Sequence, residues 1–64
     1  MEYKITLRAA RINANLNQAE VAAELGVSTE SVANWERGKV PLKATTLVRL
    51  CHLYGVPIDN ILLP

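Results

Sequence analysis

Short helices, each closed by its own stop signal, are what this sequence imposes most strongly. Gly26 follows Leu25, Gly38 follows Arg37 and Gly55 follows Tyr54, so every glycine sits directly after a segment with apolar residues at helical spacing. A helix commonly ends there in the left-handed conformation, which a residue without Cβ enters at no steric cost. Asn15 holds the equivalent place after Arg11, Ile12, Asn13 and Ala14, and asparagine is the next most tolerant residue. Four helix ends are thereby marked within 64 residues.

The starts agree with the ends. Thr6 is placed to cap a helix over residues 7–14, with Ile5 and Ala10 as a weak hydrophobic staple around it. Asn17 followed by Glu20 reads as an asparagine form of the capping box and opens a helix over 18–25. Ser28 caps a helix over 29–37 that carries Glu30 in its first turn, where the helix dipole favours an anion. Beyond the turn containing Pro41, a fourth helix covers about 43–54, and Pro57 sets up a last one over 58–62. Leu7 with Arg11, Val21 with Leu25, Val32 with Trp35, and Leu47, Leu50, Cys51 and Tyr54 recur at spacings of three or four, one buried face per helix. The fold expected is all-α with five helices, any strand being confined to residues 3–5 or 61–63.

Length permits one core only, because a chain of this size buries about 60% of the surface its unfolded form exposes. A single domain over 1–64 is the expectation. Half of the residues are apolar and a fifth charged, a composition of folded proteins. Cys51 is the only cysteine, which excludes an internal disulfide and fits a reducing cytoplasm. No apolar stretch approaches a bilayer span, and the amino terminus lacks a basic segment followed by a hydrophobic run, so neither membrane nor export is expected. Cys51 and His52 are adjacent, hence about 100° apart on a helix, with no further His or Cys to complete a metal site. Ser28 and Ser31 lack a nearby activating base, and a chain this small hardly encloses a substrate pocket. A non-enzyme without metal or cofactor is the expectation.

The helices over 18–25 and 29–37 are joined only by Gly26, Val27 and Ser28, and a three-residue turn with glycine first suits a helix-turn-helix. Such a unit can project its second helix into a major groove about 12 Å wide while the first crosses the backbone. The chain resembles the phage repressor and Cro superfamily in an ordered set of residues. These are Leu7 with Arg11, Leu16 with Gln18, Ala22, Leu25-Gly26-Val27-Ser28, Val32, Trp35-Glu36-Arg37-Gly38, Pro41, Leu47 with Leu50, and Gly55-Val56. It departs from the pattern in Asn15, where glycine is usual, and in a short link from Gly38 to Pro41.

The resemblance implies a lambda-repressor-like domain. It also implies that Gln18 bonds a DNA phosphate, that the exposed face of the 29–37 helix reads bases, and that Arg11 and Glu36 form a charged pair. Thr29, Glu30, Ala33 and Asn34 face away from Val32 and Trp35, which in the free protein makes them a solvated surface. Against DNA, Asn34 can bond adenine, Thr29 and Ala33 can touch a thymine methyl, and Glu30 can accept from cytosine. Arg37, Lys39 and Lys43 form the densest basic stretch and, with Ser28 and Ser31, are assigned to the phosphate backbone. Trp35, in register with Val32, belongs to the core and not to a stacking platform. The expected function is that of a sequence-specific repressor, binding double-stranded operator DNA as a homodimer. Leu53, Val56, Ile58 and Leu63 exceed what so small a core needs and offer a pairing patch. A net charge of only +1 supports one alternative, a protein-interaction module such as an antitoxin or bridging factor.

Overall fold

The computed structural model describes residues 3–64. A short strand β1 (Ile5–Thr6) leads into the helices α1 (Leu7–Asn13), α2 (Gln18–Leu25), α3 (Thr29–Arg37) and α4 (Ala44–Tyr54). A 3-10 turn (Ile58–Asn60) and a second strand β2 (Ile61–Leu62) follow. Local chemistry accounts for the boundaries. The Thr6 hydroxyl accepts from the Ala9 amide at 3.1 Å. Asn17 Oδ1 accepts from the Glu20 amide at 2.7 Å while Glu20 Oε1 accepts from the Asn17 amide at 2.9 Å, a complete capping box. Ser28 Oγ accepts from the Ser31 amide at 3.1 Å. Asn15 takes φ +60°, the one described residue besides glycine in the left-handed region, and so turns the chain out of α1.

Two ends shift by one residue: α1 stops at Asn13, and α4 begins at Ala44 with Lys43 as an N-cap whose side chain makes no cap bond. The larger correction is at the fifth helix. Only Ile58–Asn60 turn, as a single 3-10 turn, and Ile61–Leu62 are extended. They pair in parallel with β1, Ile5 opposite Ile61 and Thr6 opposite Leu62. Extension alternates the side chains, burying Ile61 in the core and leaving Leu62 at the surface. The backbone of β1, outside α1 and without helical partners, is hydrogen-bonded by the same pairing. Nearby, Lys4 Nζ donates to the Asp59 carbonyl at 2.7 Å.

The core is assembled from every helix: Leu7 and Ala10 of α1, Val21, Ala22 and Leu25 of α2, Val32 of α3, and Leu50, Cys51 and Tyr54 of α4, closed by Ile61. Trp35 and Leu47 pack against it half-buried. So do Leu53 and Val56, whereas Ile58 and Leu63 are exposed, which leaves two of the four residues expected in a surface patch free for one. The most extensive packing between helices is that of α2 on α3.

Candidate nucleic-acid interface

The turn that orients α3 is built on Gly26, at φ +70° and ψ +36°. The Val27 amide behind it donates to the Ala22 carbonyl at 3.0 Å, and Ser28 returns the chain to extended φ and ψ before capping α3. A Cβ at Gly26 would meet nothing within 4 Å, so the requirement for glycine there is conformational and not steric.

At about 100° per residue, Glu30, Asn34 and Arg37 stack along one line of α3 opposite the buried Val32, with Ala33 at the edge of that face and Thr29 nearer the Val32 side but open at the helix start. Thr29, Glu30 and Arg37 are exposed, Ala33 and Asn34 half-buried. The two members nearest the end of the helix are joined, Arg37 Nη2 donating to Asn34 Oδ1 at 2.8 Å. At its start the hydroxyls of Ser28 and Ser31 lie 3.0 Å apart. Lys39 and Lys43 are exposed on the link to α4, and the Lys39 amide closes α3 by donating to the Asn34 carbonyl at 3.0 Å.

Behind this face lies a charged node. Arg11 Nε meets Glu36 Oε2 at 2.6 Å and Arg11 Nη2 meets Glu36 Oε1 at 3.3 Å, with side chains 10% and 5% exposed. Arg11 Nη1 donates to the Leu16 carbonyl at 2.9 Å, and Gln18 Nε2 donates to Glu36 Oε1 at 3.0 Å. The bond to Glu36 raises the Arg11 pKa above its already high ordinary value, against the opposing effect of burial, so the guanidinium stays charged. The node thus ties α1, the loop after it, the first residue of α2 and the last turn of α3 into one unit. Gln18 is half-buried and spends one amide hydrogen of Nε2 on Glu36; Nε2 carries a second hydrogen besides.

Neither the Gln18–Glu36 bond nor the Asn34–Arg37 bond was foreseen from the sequence. The second had a usable signal, because residues three apart on a helix are surface neighbours. The first joins two helices and had none. Cys51 is buried, which pushes its thiol pKa up, whereas His52 beside it is exposed. Among the described residues no group of three or more His, Cys, Asp or Glu is placed to hold a metal ion. No helix among them is long and apolar enough to cross a membrane.

Comparison with known proteins agrees with this geometry. A family described as helix-turn-helix matches residues 7–61. The cryptic phage CTXphi transcriptional repressor RstR of Vibrio cholerae is 36% identical over 55 residues, which are 86% of this chain and 50% of that protein. The chain therefore spans about half the length of the curated relative it matches. No solved structure matches it. With a tight turn between α2 and α3, a family match running through all four α-helices, and a phage repressor among its relatives, the chain belongs to the phage repressor and Cro superfamily of helix-turn-helix domains.

Proposed function

We propose that residues 1–64 form one DNA-binding domain of a sequence-specific transcriptional repressor, acting for a phage or other mobile element in the cytoplasm. It is a regulator and not an enzyme. The observation that carries this reading is the outer face of α3, where Thr29, Glu30, Ala33 and Asn34 stand free of the core on a helix that a tight turn sets against α2. Those residues read base edges, while Gln18, Ser28, Ser31, Arg37, Lys39 and Lys43 hold the phosphate backbone on either side. Gln18 does so with the amide hydrogen that Glu36 leaves unused. Two chains bind a palindromic operator, one per half-site, with the exposed Ile58 and Leu63 contributing to the contact between them.

The test is an anisotropy titration of the parent, Asn34→Ala and Lys43→Ala on a selected and an unrelated duplex at several salt concentrations. Asn34→Ala should lose about 1–3 kcal/mol on the selected duplex and little on the other, because a base contact is sequence-dependent. Lys43→Ala should weaken both alike and lower the magnitude of the salt slope by about one. If both variants bind every duplex like the parent, the reading face is elsewhere. A parent that shows no salt-dependent binding favours a protein ligand over DNA.

A further inference from the structure

A free asparagine amide is suited to adenine, since its carbonyl oxygen accepts from N6 while its NH2 donates to N7. Asn34 is not free in this way. Its Oδ1 already accepts from Arg37 Nη2 at 2.8 Å, within one face of α3. With one Oδ1 lone pair taken, the groups the pair has free are mainly hydrogen-bond donors: the two N–H of Asn34 Nδ2 and the remaining N–H groups of the Arg37 guanidinium, against a single remaining acceptor site on Oδ1. An adenine N6 amino group brought to the remaining lone pair of Oδ1 would have to share that oxygen with the Nη2–H of a cation and lie close to its positive charge. Guanine presents two acceptors, N7 and O6, on its major-groove edge and is the base that a cationic donor head fits.

Resting on the operator reading above, we propose that Asn34 and Arg37 act as one composite reader, and that the base it selects is guanine. Arg37 is then a specificity-determining residue and not only a phosphate contact. Both side chains lie at the surface or half-buried and outside the core, so either can be replaced without removing a packing group.

Selection from a random duplex pool with the 64-residue chain, its Asn34→Ala variant and its Arg37→Met variant tests the pairing. The position read by the pair is the one at which Asn34→Ala loses its preference. There the parent should favour guanine over adenine by about tenfold or more, as for a lost bidentate base contact. Arg37→Met keeps an aliphatic stem but frees Oδ1, and should turn the preference at that same position to adenine. Adenine in the parent or an unchanged preference in Arg37→Met would overturn the composite reader while leaving the operator reading standing, whereas no position relaxed by Asn34→Ala would overturn the composite reader and also remove Asn34 from the base-reading face. A parent that enriches no sequence from the pool overturns both.

Discussion

Replacing Glu36 by leucine is the sharpest test of how this fold is held together. The substitution leaves the Arg11 guanidinium, 10% exposed, with only the Leu16 carbonyl at 2.9 Å as a partner, and strips Gln18 Nε2 of its acceptor. Breaking a buried pair from one side costs about 3–5 kcal/mol because the remaining charge stays out of water, whereas an exposed pair contributes about 0–1 kcal/mol. At about 0.05–0.15 kcal/mol per residue the 64-residue chain has roughly 3–10 kcal/mol in total, so the loss removes a large part of it. In a domain this small each kcal/mol moves Tm by about 4–8 °C, giving a drop of roughly 12–40 °C. Removing both charges, as Arg11→Met with Glu36→Leu, leaves apolar side chains of similar volume and no stranded ion. The double variant should recover most of the loss. Urea unfolding followed by the helix signal in circular dichroism measures all four corners of the cycle. A cost below about 1 kcal/mol for Glu36→Leu, or a double variant less stable than that single one, would refute the argument from burial.

Burial, with Glu36 nearby and Arg11 opposing, pushes the Tyr54 phenol from 10.0 up to about 12. The folded chain therefore keeps that proton to higher pH than the unfolded chain does, and the associated stability is complete below pH 10 and lost as pH rises from about 10 to 12. The loss approaches roughly 2–3 kcal/mol, and Tyr54→Phe should abolish this part of the alkaline slope; unfolding curves of the two proteins that run parallel from pH 9 to 12 would contradict it. The buried Cys51, whose thiol pKa burial raises, should react with a thiol reagent only as fast as the domain opens, and labelling should quicken in step with added urea. Gly26→Ala should cost about 1–2 kcal/mol from its positive φ alone. Gly38→Ala should cost more in the same thermal scan, because its Cβ would also stand 2.8 Å from Pro64 Cγ.

Signals that act within one turn of chain were legible in the amino-acid sequence. Asn17 and Glu20, Ser28 and Ser31, and the left-handed Asn15 each settle a helix end through atoms at most a few residues away, so residue type and spacing determine them. The same holds for the helical period that puts Val21, Val32 and Leu50 inside, and for the three-residue turn that marks the candidate interface. Residues 58–62 show where such reasoning stops: Pro57 starts a turn there as expected, but only tertiary packing could show that Ile61 completes the core as a strand beside Ile5. A pairing between distant segments depends on where all the intervening helices carry the chain, and no local preference encodes that. Packing likewise decided that Leu53 and Val56 lean on the core while Ile58 and Leu63 do not. It also brought Gln18 of α2 to Glu36 of α3, an encounter whose geometry exists only once the two helices are packed together.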